Sequence, residues 1–162
     1  MATSKEDVHR YYSGGASNAN PQLSIGGIKS SVKIPDETLN AVWDDTSSAE
    51  ASLGDTEVRV IYFQYDGVDT FVKNVVVYLS AKAKGVDDSV EYAIDPAFGV
   101  NVVYPTRANE NDPPTNVVWT NGSTRAAGRL LAAKLNKGQW VHCLLRRTIS
   151  AGASPLEAEI IL

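Results

Sequence analysis

The chain has 162 residues, 43% of them hydrophobic and 21% charged, with a net charge of −4. That size and composition suit one self-sufficient core, and no apolar run approaches the roughly 20 residues needed to cross a bilayer, which predicts a soluble single domain without a membrane partner. Without a dense Lys/Arg cluster nucleic acid is not an expected partner, the lone Cys143 excludes an internal disulfide framework, and the mixed polar opening from Met1 to Asp7 carries no secretory signal.

Residues 1–35 are expected to form an extended N-terminal arm. Gly, Ser and Asn dominate residues 10–31, and the steps Gly14-Gly15 and Gly26-Gly27 would interrupt any helix or long strand. Tyr11, Tyr12, Leu23, Ile25 and Ile28 are interspersed, which is more apolar surface than a disordered leader carries. An arm that docks on a neighbouring surface, and can be deleted through residue 31 without unfolding the rest, is the expectation.

Residues 36–162 are expected to form the folded domain. Asp36 to Asp44 is either a single helical turn N-capped by Asp36 or an irregular segment whose Leu39 and Trp43 cap one end of the core. From Gly54 onward the chain becomes short runs rich in branched and aromatic residues, separated by turn residues. Strands are predicted over 57–65 and 71–80, joined as a hairpin through Asp66-Gly67. Further strands are predicted over 89–94, 100–104, 116–119, 130–135, 139–149 and 156–162, with Asn121-Gly122 and Lys137-Gly138 as turns and Pro105 and Pro113-Pro114 as exits from the ladder. Seven or eight such strands predict an all-β fold: an antiparallel β-sandwich, of jelly-roll or immunoglobulin type.

A survey for chemistry returns no catalytic, cofactor-binding or metal motif. His142 and Cys143 are strand neighbours and should face opposite ways, so they form no nucleophile–base pair, no motif supports a pairing of His9 with Cys143, and Cys143 is expected as a buried thiol. No serine lies in a Gly-x-Ser-x-Gly elbow, and Asp44-Asp45 and Asp87-Asp88 read as solvated turn formers. Asn109-Glu110-Asn111-Asp112 concentrates oxygen ligands, but Pro113-Pro114 stands where a calcium loop continues. Arg146-Arg147 should send one guanidinium to solvent and the other to the domain's rim or a partner, as an interface anchor or simply as a solvated strand end.

Three segments, read in order, carry a resemblance: Tyr12 to Pro21 with Leu23 to Gly27, Ala49 to Arg59, and Leu144 to Ser154. Together they resemble a family of small virion structural proteins of tailed bacteriophages. The resemblance implies a β-sandwich displayed on the particle and no catalytic residues or cofactor. It also implies a virion location after synthesis in the host cytoplasm, with the major capsid protein and further copies of the same chain as partners. The role expected is capsid decoration (cement), with Tyr11, Tyr12, Leu23, Ile25, Ile28, Arg146 and Arg147 as partner-binding residues. The alternative is a tail or baseplate module whose three tryptophans and seven tyrosines stack on carbohydrate, although aromatics within strands are more simply core residues.

Overall fold

The structure, a computed structural model, describes residues 7–36, 41–79 and 88–153. The strand expected over 156–162, Leu39 and Asp87 lie outside the described residues. Within them the fold is mostly β, with antiparallel sheets that do not close into a barrel and one α-helix. None of its helices is long and apolar enough to cross a membrane.

A four-stranded sheet has the order β1 (Val8–Tyr11), β2 (Asp55–Tyr65), β6 (Trp140–Ile149), β4 (Asp88–Ala93); a two-stranded sheet pairs β3 (Phe71–Val77) with β5 (Arg129–Asn136). The axis is β2–β6, in unbroken register from Asp55 opposite Ile149 to Gln64 opposite Trp140. Both strands are apolar on both faces, whereas antiparallel sheets commonly leave one face to water. Ile61, Tyr65, Val141, Cys143 and Leu145 join Val75, Leu131 and Leu135 of the two-stranded sheet in one core cluster. Val60, Tyr62 and Leu144, on the opposite face, pack with Tyr11, Tyr104 and Phe98 in a second.

The second face is covered by chain that the sequence reading assigned to strands. Residues 100–104 and 116–119 are irregular, the only ladder contact nearby being the single bridge from Tyr92 to Thr120. Asn101 adopts φ 58°, and its backbone N–H and side-chain oxygen engage the backbone of Trp140, which turns the chain across the sheet instead of along it. The aromatic and branched residues that suggested pleated strands are thus used as a lid, with Phe98, Tyr104, Val117 and Trp119 packed on the sheet.

Two further expectations are corrected. Asp66-Gly67 does not close a hairpin, because β2 and β3 belong to different sheets. The Asp66 carboxylate instead accepts from the Tyr11 hydroxyl and the Gln64 amide, and a Cβ on Gly67 would fall 2.5 Å from the Tyr65 ring, so the glycine makes room for a core aromatic. Asn121-Gly122 is likewise no hairpin turn; the Gly122 carbonyl accepts from the Leu79 N–H and the Tyr92 hydroxyl. Lys137-Gly138 does form a turn, but one that carries the chain from one sheet to the other. Helix α1 (Ser48–Leu53) was not anticipated, although its signal is local: Ser47 and Glu50 make a capping box, each side chain bonding the other's backbone N–H.

The segment read as an extended arm is folded onto the domain over residues 7–36. β1 pairs with the end of β2, Val8 opposite Tyr65 through Tyr11 opposite Tyr62, and Tyr12 and Ile34 both lie in the first core cluster. The reason is polar as much as apolar. The buried Ser13 hydroxyl donates to the Val60 carbonyl at 2.6 Å, and the Val60 N–H donates to the Ser24 carbonyl at 2.6 Å, so the segment satisfies the open edge of β2.

Candidate functional site

The seven residues nominated as partner-binding separate sharply. Tyr11 and Tyr12 are buried in the chain's own core, their hydroxyls donating to Asp66 Oδ2 at 2.8 Å and to the Ala41 carbonyl at 2.9 Å. Burial, the hydrogen bond from Tyr11 to Asp66 and the charge of Asp66 push Tyr11 up to about 12. Arg147 is buried as well, whereas Arg146 is half-buried, its guanidinium 4.4 Å above the Trp119 ring and bonded through Nε to Glu91 Oε2 at 3.0 Å. Ile25 is half-buried. Leu23 and Ile28 remain, 56% and 60% exposed.

Those two side chains stand on a well-braced ledge. The Gly27 N–H donates to the Tyr104 carbonyl at 2.7 Å and the Arg107 N–H to the Ile25 carbonyl at 2.8 Å, so residues 25–27 run beside residues 104–107. Tyr62, rising from the sheet, donates to the Gly27 carbonyl at 2.7 Å and accepts from the Tyr104 N–H at 2.9 Å, tying both segments to β2. Gly26 allows the close approach: it sits at φ +112°, and a Cβ there would lie 2.2 Å from the Pro105 carbonyl oxygen. Next to this pairing, Val102 and Val103 are also exposed. The ledge is a solvent-facing apolar rim held in fixed geometry.

A second feature was not anticipated, a buried charge cluster. Strand alternation puts Asp55, Glu57 and Arg59 on one face of β2, and the register sets Arg147 of β6 opposite Glu57. Arg147 Nε donates to Glu57 Oε2 at 2.6 Å, and its Nη1 to the Asp44 carbonyl at 2.9 Å. Arg59 Nη1 pairs with Glu110 Oε2 at 2.7 Å, and Arg59 Nη2 lies 3.4 Å from Glu57 Oε1. The Trp43 ring lies against both guanidiniums, 5.1 Å from that of Arg59 and 5.4 Å from that of Arg147. Burial pushes Glu57 up to about 7 against the pull of Arg147 and Arg59. Burial also opposes charge on Asp44, but the Gln22 amide and the two arginines together hold it below its ordinary value. Asp44 is therefore part of the cluster and not the solvated turn former expected of Asp44-Asp45. The available signal was a Glu and an Arg at alternate positions of a strand rich in branched and aromatic residues, where a charge needs a buried partner.

His142, Cys143, the acidic loop and the tryptophans all pack against other parts of the protein. His142 and Cys143 do face opposite ways: Cys143 lies in the first core cluster, while the His142 ring stacks on Tyr104 at 4.9 Å. Burial raises the Cys143 thiol and keeps it protonated. His142 Nε2 accepts from the Asp95 N–H at 3.1 Å, which leaves the proton on Nδ1. Of the acidic loop, Glu110 meets Arg59, Asn109 accepts from the Asn111 N–H, the Asn111 amide donates to Asp55 Oδ1, and Asp112 Oδ2 accepts from Arg107. The tryptophans are occupied too: Trp43 by the arginines, Trp119 by Arg146, and Trp140 edge-on to Tyr62 at 4.8 Å.

Burial lowers His142 from 6.5 to about 4. A lowered pKa means that the unfolded chain takes up the proton first, so this contribution is complete above pH 6.5 and is lost as pH falls towards 4. It amounts to about 3 kcal/mol. Glu57, with a raised pKa, acts in the opposite sense as pH rises from 4.5 to about 7. The His142 contribution is therefore read as a difference: in urea titrations, wild type should lose about 3 kcal/mol more than His142→Gln over the acid range. Parallel pH profiles would disprove it.

No protein-family model, curated protein or solved structure matches this chain.

Proposed function

We propose that this chain is a structural component of a tailed-phage particle, a capsid decoration protein that binds major capsid subunits and stabilises the shell. The reading rests on the resemblance of three segments, which include Leu23 and Gly26-Gly27 of the ledge and the second half of β6. The observation that carries it is the exposed pair Leu23 and Ile28 beside a backbone braced by Tyr62, since a backbone already fixed needs little further ordering on docking. Burying them at about 25 cal/mol per Å² would add to shell stability. We read the two sheets, which share one apolar cluster, as a β-sandwich of the jelly-roll or immunoglobulin kind.

Purified protein mixed with undecorated capsids is expected to co-sediment, and the double variant Leu23→Ser with Ile28→Ser to lose at least tenfold in affinity while keeping the wild-type melting temperature. Absence of co-sedimentation by the wild type would overturn the proposal. Deleting residues 1–31 is unsuitable as a test because it removes β1 and the bonds that residues 13 and 24 make to β2.

A further inference from the structure

We infer that Glu57 is a proton-operated latch: protonated, it leaves Arg59 to hold the 107–112 loop against β2, and ionised, it draws Arg59 away and loosens that loop. The inference stands on the charge cluster and is independent of the virion reading.

Charge balance in a confined space governs the state of Glu57. Glu57 meets Arg147 from β6, Arg59 and Asp55 from its own strand, Glu50 from α1, Asp44 from the segment before α1 and, through Arg59, Glu110 from the 107–112 loop. One carboxylate oxygen each of Glu50, Asp55 and Glu57 lie within 4.8 Å of one another. Three carboxylates, those of Glu57, Asp44 and Glu110, thus share two guanidiniums, with Glu50 and Asp55 close to Glu57, and like charges crowded away from bulk water repel. Relief comes most easily at the member that water cannot reach. The Glu57 side chain is 1% exposed, whereas those of Asp44 and Glu110 are 38% and 35% exposed. Burial already favours the neutral form of Glu57, placing its titration near neutrality.

The consequence falls on Arg59, whose guanidinium is divided among Glu57, Asp44 and Glu110. Neutral Glu57 leaves the short contact with Glu110 as its main pairing. Ionised Glu57 competes for the same group. The loop is otherwise held to β2 by the Val58 N–H on the Glu110 carbonyl, at 2.7 Å, and by the Asn111 amide on Asp55 and Thr56. The Val58 amide therefore reports on the latch.

The test combines carboxyl-carbon NMR titration with hydrogen exchange on the intact chain. Glu57 should titrate near pH 7, and the protection factor of the Val58 amide, corrected for intrinsic exchange, should fall about tenfold from one pH unit below that value to one above. Glu57→Gln, a neutral isostere, should stay protected across the range, and Glu110→Gln should be unprotected and insensitive to pH. A Glu57 carboxyl still ionised at pH 5, or a Val58 pH profile unchanged in Glu57→Gln, would overturn the inference.

Discussion

Replacing Arg147 with alanine is expected to destabilise the protein by about 3–5 kcal/mol above pH 7, where Glu57 is ionised, because it strands that charge in the core without its closest cation. The same substitution removes the donor to the Asp44 carbonyl and one of the two guanidiniums against Trp43. Arg146→Ala, one residue away, should cost no more than about 1 kcal/mol, since Arg146 and Glu91 are both partly solvated. Urea denaturation with unchanged m-values separates the two outcomes, and equal losses would mean that the cluster is not the buried network described. A combined Arg147→Met and Glu57→Leu variant should recover most of the stability, because desolvating the pair nearly offsets its attraction.

Leu144→Ala and Leu145→Ala are each expected to cost about 2–5 kcal/mol. The two leucines are adjacent on β6 and point to opposite faces, Leu144 into the cluster under Tyr104 and Leu145 into the cluster shared with the two-stranded sheet. In an antiparallel sheet with one solvated face, one of the two substitutions would be nearly neutral. Leu130→Ala, at an exposed position of β5, should stay within about 0.5 kcal/mol. Thermal or chemical melts in which Leu144→Ala matched Leu130→Ala would show that the 95–119 segment does not seal its face.

How far the fold is legible in the sequence depends on the range of the interaction concerned. β2, β5 and β6 were placed to within two residues of their observed bounds, because branched and aromatic residues favour a pleated backbone wherever they pack. The turn at Lys137-Gly138 and the opposite facing of His142 and Cys143 followed from chain geometry alone. The capping box of Ser47 and Glu50 is an equally local signal. The candidate site was less legible: Leu23 and Ile28 were nominated together with Tyr11 and Tyr12, which composition cannot tell apart from them.

By itself the sequence determined an antiparallel, mostly β chain with one cysteine, whose β2 and β6 the structure shows to be covered on both faces. Only the tertiary structure decided what supplies that cover. Strand pairing is set by non-local contacts, so Asp66-Gly67 ends β2 without closing a hairpin, and the valines and aromatics of 98–119 serve as a lid. Residues 7–36 fold inward because Ser13 and Ser24 meet backbone groups of Val60 that no neighbouring strand reaches. Arg146 and Arg147 are equivalent in composition and opposite in environment, a distinction created by Asp44, a carbonyl 103 residues away in sequence that arrives beside one of them.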